Sequence, residues 1–117
     1  MPYTFEGTEL PINSEPQLKD GTMWVPLRAL GQALGGSADW DPDNRVAILY
    51  LDNRVATLKV GDATADVDGE QIELQAAPYL DSGETWVPVR FFNHPLGYPL
   101  RVELDSKSVH LSNPVTA

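Results

Sequence analysis

The sequence predicts an α+β fold in which antiparallel β-hairpins form a sheet wrapped around two short helices. Three observations carry that expectation. The stretch Pro16–Gly35, PQLKDGTMWVPLRALGQALG, returns as Pro78–Gly97, PYLDSGETWVPVRFFNHPLG, with nine of twenty positions identical at an offset of 62. A repeat of that length marks a duplicated supersecondary unit rather than a lone motif. Ten prolines and nine glycines among 117 residues call for many turns and few long helices. Finally, each copy holds one brief run of helical apolar spacing set among alternating segments. The copies, about residues 5–50 and 67–111, are joined by a strand at 55–60. Half the chain would be marginal alone, so residues 1–117 are expected to form one domain with an internal pseudo-two-fold.

The elements follow in order. Thr4–Ile12 places Phe5, Leu10 and Ile12 around a Glu6-Gly7 turn, and Asp66–Leu74 repeats the pattern around Asp68-Gly69. Asp-Gly between apolar runs signals a two-residue hairpin, because a type I′ turn needs positive φ at both central residues. A second hairpin turns at Asp20-Gly21 in the first copy and at Ser82-Gly83 in the second. Its returning strand runs into Pro26 or Pro88, which suits the first position of a helix, where the missing N–H is not needed. Leu27, Leu30 and Leu34 then recur at helical spacing, and Gly35-Gly36 ends that helix. In the second copy Pro95 interrupts the helix and pushes His94 toward extended backbone. A third hairpin follows each helix: Ser37–Trp40 and Arg45–Leu51 about the turn 41–44, then Leu100–Leu104 and Ser108–Leu111. The tail after Ser112 is expected to fray.

Charge and composition narrow the function. Seventeen acidic against eight basic residues give a net charge of −9, which argues against nucleic acid and against anionic membrane surfaces as partners. Without cysteine there is no disulfide, thiolate nucleophile or Cys-ligated metal. The longest apolar run, Val46–Leu51, is far short of the roughly 20 residues of a membrane span. The opening MPYTFEGTEL lacks the basic and apolar regions of a signal peptide, so no leader is expected there.

The succession Pro-x-Leu-x-x-Gly-x-x-Trp-Val-Pro-Leu/Val-Arg…Leu-Gly…Trp-Asp, carried by residues from Phe5 to Leu111, resembles the copper amine oxidase N-terminal-like domain, or stalk domain. Its most specific part, Gly-x-x-Trp-Val-Pro-Leu/Val-Arg, occurs twice. The resemblance implies a small β-rich fold around a helix, a non-catalytic extracellular or cell-surface module of a larger bacterial protein, and no bound copper or quinone. Gln32 and His94 stand where the family commonly has Glu, and the second copy has Val102-Glu103 in place of Trp40-Asp41.

No catalytic or metal-ligating set is expected. His94 and His110 are the only imidazoles, too few and too distant in sequence for a ligand cluster. Asp39, Asp41 and Asp43 imitate the start of a calcium loop, but Asn44 and Tyr50 occupy the places of its Gly and bidentate Glu, so the segment is read as a hairpin turn. Trp24, Trp40 and Trp86 are the candidate ligand-binding residues, as an aromatic platform for carbohydrate or cell wall. Packing is the competing role for Trp24 and Trp86. Arg28 and Arg90 lie where a helix dipole disfavours cations and are read as structural clamps on a carboxylate or on backbone carbonyls. The expected partners are other domains of a surface protein or a separate protein, a cell-wall glycan in the alternative reading, and a second copy of the chain through exposed strand edges.

Overall fold

The computed structural model describes residues 2–114; the end of the tail expected to fray, residues 115–117, lies outside them. In chain order the elements are β1 (Tyr3–Phe5), β2 (Thr8–Glu9), β3 (Gln17–Lys19), β4 (Thr22–Pro26), α1 (Leu27–Ala33), β5 (Ser37–Asp41), β6 (Val46–Leu51) and β7 (Arg54–Lys59). There follow β8 (Thr64–Val67), β9 (Glu70–Glu73), β10 (Tyr79–Asp81), β11 (Glu84–Pro88), α2 (Arg90–Asn93), β12 (Leu100–Glu103) and β13 (Ser108–Leu111). The strands divide into three sheets ordered β12-β13-β1-β2, β10-β11-β4-β3 and β5-β6-β7-β8-β9, rather than one wrapped sheet. All pairings are antiparallel except β1 with β13, which joins the two ends of the chain in parallel. No helix among the described residues is long and apolar enough to cross a membrane.

The turn chemistry operates as the sequence predicts. Glu6-Gly7, Asp20-Gly21, Asp68-Gly69 and Ser82-Gly83 each place two successive residues at positive φ, and Asp52-Asn53 does the same between β6 and β7. These are the type I′ conditions that match the twist of the flanking strands.

Pro26 and Pro88 are placed differently from expectation. Each is the last residue of a strand rather than the first of a helix, and Pro26 holds extended backbone at φ −75°, ψ 121°. The reason lies in the β4–β11 ladder, where Val25 faces Val87, Pro26 faces Trp86 and Pro88 faces Trp24. The Val89 N–H donates to the Met23 carbonyl at 2.8 Å. Since bonded and non-bonded pairs alternate along an antiparallel ladder, Val25 and Val87 form the mutually bonded pair and both prolines fall on non-bonded positions. Their missing N–H groups cost this ladder nothing. The shift also makes Leu27 the first residue of α1 and Arg90 the first of α2.

Alternation along β4 and β11 sends Met23, Val25 and Val87 into one continuous apolar core with Tyr3, Leu27, Leu30, Leu49, Leu58, Phe91, Phe92, Val109 and Leu111. Trp24 and Trp86 face the other side of the central sheet. Helix α1 lies against β6 so closely that a Cβ on Gly31 would overlap the Leu49 side chain. One on Gly36 would overlap the Tyr50 carbonyl oxygen. Leu49 can turn away, but the Tyr50 carbonyl is held in the sheet. The second helix is short as predicted, ending where His94 is extended at φ −140°, ψ 115°.

Gly36→Ala should therefore lower the unfolding free energy by about 1–3 kcal/mol, with Ser37→Ala near wild type. Urea denaturation of both variants checks this.

Candidate functional site

A groove of about 390 Å³ opens where α1, β5 and the β10–β11 hairpin meet. Its walls follow from local sequence. Helix α1 buries Leu27 and Leu30, which turns Arg28, Ala29 and Gln32 toward the groove. On β5, Trp40 stands 37% exposed, opposite Ala47 of β6 in the strand register. A side chain as small as Ala47 leaves the space beside the indole empty. The far wall is Leu80, 41% exposed, with Gly83, Glu84 and Thr85. The groove thus joins one half-open indole and a leucine to a guanidinium, an amide and the carboxylates of Asp39 and Glu84.

Glu84 is the junction of a longer trough. It also lines a concavity of about 430 Å³ with Asn13, Ser14, Ala29 and Gln32, and another of about 750 Å³ with Asn13, Gln17, Lys19 and Trp86. Its position is fixed by a chain of hydrogen bonds. The Ser14 hydroxyl donates to Glu84 Oε2 at 2.5 Å, and the Tyr3 hydroxyl donates to the Ser14 carbonyl at 2.8 Å. Burial first, then the negative charge of Glu84, pushes the Tyr3 phenol above its ordinary value. Burial and a hydrogen bond to Asp52 push Tyr98 in the same direction.

The structure separates the three predicted tryptophans. Trp24 and Trp86 are 7% and 3% exposed, roofed by Tyr79, whose ring meets Trp24 edge-on at 4.9 Å and lies near-parallel to Trp86 at 6.4 Å. Lys19 Nζ sits 4.3 Å from the Tyr79 ring centroid, and the Tyr79 hydroxyl donates to Gln17 Oε1 at 3.1 Å. The two buried indole N–H groups have no acceptor among the described residues. A three-tryptophan platform is therefore not assembled, and Trp40 alone is accessible.

Arg28 and Arg90 are both exposed. Among the described residues neither guanidinium has a hydrogen bond or ion pair to serve as the expected clamp, and an exposed cation in that state adds little stability. Arg28 instead borders the groove. Asp41 is occupied by its own turn: Oδ1 accepts from the Asp43 and Asn44 N–H groups, and Oδ2 accepts from Asn44 Nδ2 at 2.9 Å. The bond from the Asn44 side chain, with those from the backbone, holds this carboxyl below its usual range. His94 is exposed at the end of α2. His110 lies on β13 between Glu103, to which Nε2 donates at 2.5 Å, and the Thr4 hydroxyl, 2.7 Å from Nδ1.

The copper amine oxidase N-terminal domain family matches residues 4–111. The chain belongs to this family. The match spans every strand and helix of the fold save the first residue of β1, so the duplicated Trp-Val-Pro-Leu/Val-Arg motif sits inside it twice.

Sequence reasoning missed Leu80, Glu84, Ala29 and Ala47 as members of one site. A signal was present. Positions 29, 38 and 47 are all alanine in the first copy, whereas positions 62 residues on are Phe91, Leu100 and Val109. Small residues clustered in one copy only are the mark of a hollow.

Two outcomes follow from this geometry. Iodide should quench one tryptophan of the three, and Trp40→Phe should abolish that accessible fraction, leaving only shielded emission. Raised phenol values favour neutral Tyr3 and Tyr98 in the fold, so their contribution is intact below their ordinary value of 10.0 and lost as pH climbs above it. Unfolding free energy should hold up to that pH and then fall, less steeply in Tyr98→Phe, as a pH series of denaturation curves would record.

Proposed function

We propose that the chain is a non-catalytic interaction or stalk module, displayed outside the cell or on its surface as part of a larger protein. The observation that carries this reading is the family match over residues 4–111. The excess of acidic residues supports a partner other than nucleic acid or an anionic membrane surface. We further read residues 1–117 as one domain of two repeats related by a pseudo-two-fold. Supporting this, β3 and β10 (17–19 and 79–81) and β4 and β11 (22–26 and 84–88) coincide residue for residue at the offset of 62. The outer edges of β3 and β10, which pair with no further strand among the described residues, offer a surface for a second copy, since free strand edges invite pairing.

The alternative reading, a carbohydrate or cell-wall binding module, is favoured by one observation: the half-exposed indole of Trp40 over a largely apolar groove edged by Arg28, Gln32, Asp39, Glu84 and Thr85.

Immunolabelling of intact cells of the source organism tests the surface assignment. The expected result is a full signal without lysis, abolished by external protease. A signal that needs lysis contradicts the assignment.

A further inference from the structure

We propose that the trough from Trp40 past Glu84 binds an uncharged, unbranched oligosaccharide, with one sugar ring stacked on the Trp40 indole. The proposal rests on the alternative reading above and gives it a ligand class, a place and a direction.

Charge in the trough favours a neutral ligand. Its walls hold four acidic residues (Glu15, Asp39, Asp81, Glu84) and three basic ones (Lys19, Arg28, Lys107), whereas the whole chain has 17 and 8. A near-balanced strip offers a polyanion or a polycation no local charge complement, even on a strongly acidic protein. What remains is hydrogen-bonding capacity in short, planar or hydroxyl groups: Asn13, Ser14, Gln17, Gln32, Ser82 and Thr85. Hydroxyl-rich ligands pair with such donors and acceptors, and a sugar's apolar face needs a flat aromatic surface with one side open. Trp40 is the one tryptophan with such an opening, since Trp24 and Trp86 are roofed by Tyr79.

Shape favours a chain over a single sugar. Three concavities have Glu84 in common, the first and second also sharing Ala29 and Gln32 and the second and third Asn13 and Ser14, which gives an extended path rather than a closed pit. Glu84 Oε2 is taken by Ser14; Oε1 has no partner among the described residues and is available to a ligand hydroxyl.

The second half of the chain supplies an internal contrast. At the same register, Trp40 faces Ala47 whereas Val102 faces Val109, and Ala38 faces Leu49 whereas Leu100 faces Leu111. Position 29 is alanine, but position 91 is a buried phenylalanine. Gln32 and Asp39 are replaced by His94 and Arg101. The aromatic and the amide have no counterpart at the matching positions of the second half, where the concavity beside Leu100 and Arg101, about 470 Å³, has no Trp, Tyr or Phe in its wall.

The test is titration of the protein with cellohexaose, xylohexaose and chitohexaose by calorimetry and tryptophan emission. A hexagalacturonate and a chitosan hexamer serve as charged comparators. The expected result is saturable binding of at least one neutral hexamer with a blue shift. Trp40→Ala should weaken it by about tenfold or more, as for an aromatic anchor. Ala29→Phe, which imports the bulk of the second half, should do the same. Gln32→Ala, at an exposed helix position, should also weaken binding, and it decides the matter if Trp40→Ala or Ala29→Phe does not keep the wild-type melting curve. Three results overturn the proposal: no neutral hexamer binds, binding survives Trp40→Ala, or a charged hexamer binds tighter than every neutral one. Each is independent of the immunolabelling result, so loss of the ligand class leaves the surface assignment standing and the reverse also holds.

Discussion

The hydrogen-bonded pair Val25 and Val87 is the contact on which the rest of the molecule depends. It couples β4 to β11 at the middle of the central sheet, and both side chains are fully buried. Pro26 and Pro88 flank it on non-bonded positions, so the ladder is short and its register is pinned: a slip by one residue would place a proline where an N–H is required and send the core valines to the opposite face. Immediately beyond each proline the chain enters α1 or the turn leading to α2. The ladder therefore sets where both helices start and which of their faces meet the core. Loss of either valine side chain would leave a cavity between all three sheets, at a cost of about 2 kcal/mol or more.

Around this pair the two halves diverge in a physically readable way. In one, β7 pairs with both β6 and β8; in the other, β1 lies directly beside β13 with no strand between them. The matching helix positions are filled differently as well. Phe91 and Phe92 meet edge to face at 5.9 Å within the core, while Ala29 and Gln32 on α1 leave room beside Trp40. Pro95 shortens the helix of the second copy, whereas the first keeps Ala29, Ala38 and Ala47 around its groove.

Turns and strands were legible because each rests on local chemistry. Gly after Asp, Ser or Glu at 7, 21, 69 and 83 specifies positive φ, and that specification needs no tertiary knowledge. The helix stripe Leu27-Leu30 and its stop at Gly35 were equally local. Pro26 and Pro88 were misplaced by one element because their role is defined by a ladder between residues 62 apart, which no local signal encodes. Trp24 and Trp86 were ambiguous for a related reason: alternation sends them away from the main core, yet Tyr79 packs on both of them from β10, with Lys19 in turn over the Tyr79 ring. Arg28 and Arg90 looked alike in sequence, and only the surroundings distinguish them, since the groove exists beside Arg28. Glu84 was invisible as a site residue, because its importance comes from Ser14, seventy positions away.

The measurement that tests this account most directly is native-state hydrogen exchange at the amides of Val25 and Val87. If their pairing holds the halves together as one cooperative unit, both amides exchange only through global unfolding, with equal free energies that match denaturant unfolding. Exchange of Val87 through a separate, cheaper opening, with Val25 still protected, would contradict it.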